Sequence, residues 1–303
     1  MLNGSWSLRG FVDHRRSLRI RVVVMGSLLV TCAACSDPKA VQTFAAMAPD
    51  PSMAQGLSHI YVTEPAWRAE LNRGTNVRPD PDAQALTAQR TDQAKGIVSL
   101  DSGIREYMKA LGALAADGVV QSSSNVSDLT TGLTALQKGI PSLGITTRDV
   151  TLIGAFVQAI ADLAENGYRN AKLAQLIGDN DVALQRSLDI QIEIVSRGIV
   201  PSINEYKLTI ESKQRFLRSQ VGTVGYLFNR TLSSDQANAD AQTTAAQSYV
   251  KALKDIKVAH AALYNNRNNV LTKAMFDQIQ GPALEAYKAF QDYQAAIAKV
   301  PAT

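Results

Sequence analysis

Residues 246–274 read AQSYVKALKDIKVAHAALYNNRNNVLTKA. Within them Ala246, Tyr249, Leu253, Ile256, His260, Leu263, Arg267, Val270 and Ala274 follow one another at alternating steps of three and four, the spacing of a coiled-coil-like helix face. The asparagine cluster at 265–269 has the composition of a turn. The register runs across it unbroken, so the expectation is one continuous helix with a single polar layer. It would open at Ser233 and Gln236 and end at Gly281-Pro282, and a last helix would follow, lined by Ala283, Ala286, Phe290, Tyr293 and Ile297.

Upstream the same period recurs. Asp80-Pro81 pairs an N-cap acceptor with proline at the first helical position, and Ile97, Leu100, Ile104, Tyr107, Met108, Leu111 and Leu114 carry the spacing to Gly118, so a helix is predicted over 81–117. A shorter one carries Leu129, Leu133 and Leu136 up to Gly139 and Pro141. The next starts at Thr146 and Asp149 and runs through Ile153, Phe156, Ile160, Leu163 and Ala174 to Gly178. Its Val150–Ala161 segment is the most apolar stretch beyond residue 35. A buried core helix is the plain reading, and the membrane-inserting hairpin of an α-helical toxin is the alternative.

Asp179-Asn180-Asp181 is read as a restart, leading into Leu184, Leu188, Ile192, Val195 and Ile199. Pro201 interrupts. Ser202 and Glu205 then match a capping box, before Ile203, Tyr206, Ile210, Leu217, Val221, Val224 and Phe228; the helices on either side of Pro201 also fit one kinked rod. Helices of roughly 30–45 residues are about 45–65 Å long. With short capped connections they make an all-α fold, an elongated up-and-down bundle of long coiled-coil-like helices over residues 81–303. Residues 35–80 are read as a tether and an irregular cap, punctuated by Pro38, Pro49 and Pro51, with a short helix at Val41–Met47 and a packed extended run at Ile60-Tyr61-Val62.

The N-terminus has a different character. Arg15, Arg16, Arg19 and Arg21 precede an uncharged run from Val22 to Ala34 that ends in two alanines, the layout of an export signal over residues 1–34. Thirteen residues are too few for a bilayer-spanning helix, which needs about 20. Leu28-Leu29-Val30-Thr31-Cys32-Ala33-Ala34-Cys35 resembles the lipobox of bacterial lipoproteins, with Cys32 where leucine is usual. The resemblance covers about a tenth of the chain. It implies lipid attachment at Cys35, cleavage before it, and anchoring by acyl chains with the body in the periplasm. Ser36 after the lipid site, instead of aspartate, implies the outer membrane over the inner. Arg15-Arg16-Ser17-Leu18 also resembles a twin-arginine signal.

Residues 1–34 hold five of the 31 basic residues (Arg9, Arg15, Arg16, Arg19, Arg21) and one of the 27 acidic ones (Asp13), leaving 26 of each in the remainder. The sequence pI of 9.0 therefore belongs to the leader, and the neutral body gives no electrostatic case for nucleic acid or anionic lipid. Both cysteines also lie in the first 35 residues, so the body has no disulfide, thiol nucleophile or thiolate metal site.

Chemical motifs are sparse. A di-metal bundle site needs Glu-x-x-His pairs, yet the body's histidines are His59 and His260 and neither has a glutamate three residues before it. The serine-hydrolase elbow, the P-loop and the dinucleotide fingerprint are absent. Carboxylate pairs that would serve a glycosidase-like dyad are Asp101 with Glu106 and Asp189 with Glu193, and solvated helix surface is the plainer reading of both. His260, on an apolar face, is expected to be a partly buried histidine bonded to a polar neighbour. No catalytic, metal-binding or cofactor-binding residue is assigned and no enzyme is expected. The function expected is that of a structural or protein-binding scaffold in the bacterial envelope. The alternatives are a binder of small apolar or aromatic ligands near Tyr249, Tyr264, Tyr287 and Tyr293, and a helical pore-former.

Overall fold

The computed structural model describes residues 38–300 apart from 74–79, 117–125, 167–172, 219–222 and 270–271, and the leader with Cys35 lies outside the described residues. The described chain is helical, with no strand among the described residues: α1 (Lys39–Ala46), α2 (Pro51–Arg73), α3 (Pro81–Ala115), α4 (Val126–Gly139), α5 (Thr147–Asn166), α6 (Leu173–Glu193), α7 (Val200–Arg218), α8 (Thr223–Asn265) and α9 (Lys273–Ile297).

Asp80 caps α3 as its sequence predicts. Its side chain accepts hydrogen bonds from the backbone amides of Asp82 and Ala83, and Pro81 occupies the first turn. The predicted face is the buried one: Ile97, Leu100, Ile104, Tyr107, Met108, Leu111 and Leu114 are all 1 % exposed or less. α3 packs against α1, α2, α4, α5 and α6, while α8 packs chiefly against α6, α7 and α9. An all-α bundle built on these two long helices is the architecture.

Several element boundaries differ from the sequence reading. The short helix expected at Val41–Met47 is found as α1, but the rest of the tether and irregular cap up to Arg73 is a second helix, α2. Asp50 caps α2 through its Oδ1, which accepts from the Ser52 amide, and Pro51 starts the helix. Ile60-Tyr61-Val62 is helical, because Leu57, Ile60, Tyr61 and Glu64 make one buried stripe at helical spacing that outweighs the local β propensity. The helix predicted from Thr146 to Gly178 is two helices, α5 ending at Asn166 and α6 beginning at Leu173; Asp179-Asn180-Asp181 lies inside α6 and starts nothing. Ser233 and Gln236 likewise lie inside α8, which opens ten residues earlier at Thr223.

The single rod across Pro201 is found. α6 passes into α7 through a wide π-helical turn at Ile194–Ile199, just before Pro201. The extra residue in that turn accommodates a proline that has no amide to donate and whose ring crowds the carbonyl four residues back. Ser202 is therefore interior to the rod. It is buried and hydrogen bonds to Glu64, and it is no capping-box serine.

The continuous helix across the asparagine cluster is not found. α8 stops at Asn265, a 3-10 turn occupies Arg267–Asn269, and α9 returns along α8 after Thr272 caps it by accepting from the Met275 amide. The heptad spacing thus breaks after Leu263: Arg267 lies over the Tyr264 ring at 4.6 Å and Ala274 is exposed. Gly281-Pro282 does not break α9, which runs through it. Pro282 leaves the carbonyl of Gln278 without its helical donor, a loss softened because that residue is exposed to solvent.

Helices α3 and α4 cross at their closest where two glycines meet. A Cβ on Gly96 would stand 2.5 Å from the Gly132 carbonyl carbon, and one on Gly132 would stand 2.1 Å from the Gly96 nitrogen. Only backbone fits there.

Candidate functional site

Among the described residues, three buried polar layers lie along α3, at Arg90, Asp101 and Tyr107. By the rise of a helix the first and last are about 26 Å apart. Each layer joins α3 to helices far away in sequence.

At the first, Arg90 Nη1 donates to Glu64 Oε2 at 2.7 Å, to Ser202 Oγ at 2.8 Å and to the Tyr61 carbonyl at 2.9 Å. Ser202 Oγ in turn donates to Glu64 Oε2 at 2.7 Å. Glu64 is 1 % exposed. Its Oε1 has no hydrogen bond, and Arg68 Nε stands 3.4 Å from it as an ion-pair neighbour. The Arg90 guanidinium lies 4.5 Å over the Tyr61 ring, whose hydroxyl donates to Gln93 Oε1 at 2.7 Å. Burial pushes the Tyr61 hydroxyl up, against the opposing pull of the arginine. This layer ties α2, α3 and the start of α7.

At the second, Tyr249 of α8 donates to Asp101 Oδ1 at 2.5 Å, and Arg105 one turn along α3 donates to Asp101 Oδ2 at 3.1 Å. Gln191 of α6 donates long bonds to the Tyr249 hydroxyl, at 3.3 Å, and to the Ile97 carbonyl, at 3.4 Å, while its own Oε1 is buried without a hydrogen bond. Burial raises the Asp101 carboxyl from 3.8 to about 6, in spite of the lowering by Tyr249 and Arg105. The Tyr249 hydroxyl is pushed well above 10 by burial and by the neighbouring Asp101.

At the third, His260 is fully buried. Its Nε2 is 2.8 Å from the Tyr107 hydroxyl and its Nδ1 is 3.1 Å from Asp181 Oδ1. The rings of Phe44 and Tyr107 each stand 5.5 Å from the imidazole, and the Phe156 ring stands 5.3 Å from that of Tyr107. The hydrogen-bonded histidine expected from sequence is there, more deeply buried than expected.

Of the carboxylate pairs weighed in sequence, Asp101 with Glu106 is not brought together as a dyad. Asp101 and Glu106 are both buried, but five residues along a helix turn them about 140° apart. Asp189 is paired with Lys257 of α8, and Glu193 is half-buried beside the π turn. Nor do the four tyrosines share a cleft. Tyr249 and Tyr293 are buried with ring centroids 6.5 Å apart, Tyr293 donates to the Met53 carbonyl at 3.0 Å, Tyr264 packs under Arg267, and Tyr287 is exposed. Within Val150–Ala161, Ile153, Phe156, Val157 and Ile160 are buried in the core. No helix among the described residues is long and apolar enough to cross a membrane. No group of three or more potential ligands stands together for a metal among the described residues.

Gln191 and Glu64 were not singled out from sequence, although both sit on apolar helix stripes where a polar residue costs free energy unless it is bonded. Comparison of the chain with models of protein families, with curated protein sequences and with solved structures returned no match.

Proposed function

We propose that this chain is a membrane-anchored lipoprotein of the bacterial envelope, acylated at Cys35, whose helical body stands in the periplasm as a protein-binding scaffold, on the outer membrane in preference to the inner. The anchoring half rests on the leader: a basic run, a thirteen-residue apolar run and Ala33-Ala34-Cys35 agree with one another. Two or more acyl chains make membrane attachment stable where one does not.

The observation that carries the scaffold half is the set of three polar layers on α3. Arg90, Asp101 and His260 direct their hydrogen bonds to other protein groups, each across two or three helices. A polar residue inside a helical bundle penalises every register but the one that satisfies it. Chemistry used this way fixes the relative positions of helices, and leaves their outer faces and connections as the surface available to a partner.

The test is crosslinking in intact cells followed by purification of the chain from detergent-extracted envelopes. A discrete envelope protein recovered with the wild type and lost from a Cys35→Ala variant supports the reading. Recovery of the chain alone counts against the scaffold, and an unchanged membrane fraction for Cys35→Ala counts against the anchor.

A further inference from the structure

The stretch that reads as a tether in sequence is short in the structure. Pro38 is already fixed, because its carbonyl accepts the Gln42 amide at 2.9 Å and so opens α1. Ala40, Val41 and Phe44 of α1 are fully buried, and Met47 just past it is 4 % exposed. A helix of eight residues does not hold itself together in water, so this apolar cluster is what keeps α1 folded and docked. It packs on α3 and α9 and touches α8.

The docking point is one end of the bundle. A Cβ on Gly112 would stand 2.5 Å from that of Ala45, and Gly112 is three residues before Ala115, where α3 ends. The Phe44 ring lies 5.5 Å from His260, five residues before Asn265, where α8 ends. The other end of α8, at Thr223, is about 55 Å from His260 at helical rise. Ser36 and Asp37 alone separate Cys35 from Pro38. Three peptide steps span at most about 11 Å, and Pro38 to Ala45 is about another 11 Å of helix. Covalent length alone therefore keeps Cys35 within about 22 Å of Ala45, far short of the start of α8.

We propose that the end of the bundle formed by the last turns of α3 and α8 and the start of α9 is its membrane-facing end, held against a phospholipid surface by the acylated Cys35, with the start of α8 directed away into the periplasm. This deepens the proposed function and rests on its anchor at Cys35. Asn265, Asn268, Thr272 and Lys273 of that end are exposed and polar, which suits hydrated headgroups. Beyond residue 34 the chain holds 26 acidic and 26 basic residues, so net charge does not draw its flanks down onto an anionic bilayer. The start of α8 is then the part that reaches farthest toward a partner.

The test uses the full chain produced in its native cells, extracted in detergent and bound to vesicles of phosphatidylethanolamine and phosphatidylglycerol that carry an energy-transfer acceptor on a headgroup. Cleavage removes Cys32 and acylation consumes the Cys35 thiol, so an introduced cysteine is the one thiol left to label. One protein carries the donor fluorophore through Ala274→Cys at the start of α9, and the other through Ser234→Cys toward the start of α8; both positions are exposed. The expected result is several-fold more transfer from 274 than from 234. Most of that difference should be lost when about 20 Gly-Ser residues, a coil of about 25 Å, are inserted between Asp37 and Pro38. Equal transfer from the two positions, more from 234, or a difference that the insertion leaves unmoved overturns the placement alone when the intact mass shows Cys35 acylated. A mass with Cys35 unmodified overturns the anchor and the placement together.

Discussion

Tyr249 of α8 donates a 2.5 Å hydrogen bond to Asp101 of α3, a carboxyl 1 % exposed and 148 residues away in sequence. Burial is the largest influence on Asp101 and raises its pKa from 3.8 to about 6. The folded state therefore holds this proton more tightly than the unfolded chain does, and stability falls as pH rises from about 3.8 through about 6. Relative to an Asp101→Asn variant, the wild type should lose on the order of 3 kcal/mol over that window, at about 1.4 kcal/mol per pKa unit. Urea unfolding of both proteins between pH 3.5 and 8 measures it, and parallel curves would contradict the assignment. Tyr249→Phe removes a donor that favours the carboxylate, so it should push the transition to higher pH.

Asp149 behaves in the opposite sense. Arg186 Nε and Nη2 donate to its two oxygens at 2.8 Å each, and the Thr146 amide and hydroxyl also donate to it, which holds the carboxyl well below its ordinary 3.8. Its contribution is full above 3.8 and is lost as pH falls from there through the lowered value. Asp149→Ala should cost about 1–2 kcal/mol at pH 7, as the cap and the charged fork of α5 go together. The difference from wild type should stay level down to about pH 4 and shrink below it.

Glu64 and Arg90 should be costly to separate and much less costly to remove together. Arg90→Met leaves a buried carboxylate with Ser202 as its close donor and is expected to destabilise by about 3–5 kcal/mol. Glu64→Leu strands the guanidinium in the same way. In a double-mutant cycle by chemical denaturation the pair should recover about 1–3 kcal/mol relative to the sum of the singles. Additive effects would mean that the layer is not a unit.

Gly132→Ala and Gly178→Ala should have opposite signs. The new methyl at 132 would meet the Gly96 backbone at 2.1 Å, so α3 and α4 must separate, at a cost of about 3 kcal/mol or more. At 178 the nearest atoms are Arg267 side-chain atoms at 3.4 Å, an ordinary contact, and alanine should add about 0.5–1 kcal/mol of stability within α6. Thermal unfolding of the two variants side by side decides it.

Where one local signal was enough, the sequence was readable. Asp80-Pro81 starts α3, Gly139 ends α4, and Pro201 follows the π-helical turn between α6 and α7. Asp50-Pro51 carries the same start signal as Asp80-Pro81, but with Pro38 and Pro49 it reads as the punctuation of an irregular tether. Pro65 in fact sits inside α2, on its buried side. Around Asn265–Asn269 two signals conflicted, and turn composition prevailed over heptad register because α9 gains a long packed face by folding back on α8. The polar layers were the least legible. Asp101, Gln191 and His260 each stand where a stripe expects an apolar residue, which marks them as bonded. Their partners lie 58 to 153 residues away, and only the packed bundle brings them together.

The most direct test of the account is the intact mass of the chain extracted from membranes of its native cells. The account predicts a polypeptide that begins at Cys35 and carries the added mass of its acyl chains, with residues 1–34 gone. A chain that retains residues 1–34 and an unmodified Cys35 would contradict it.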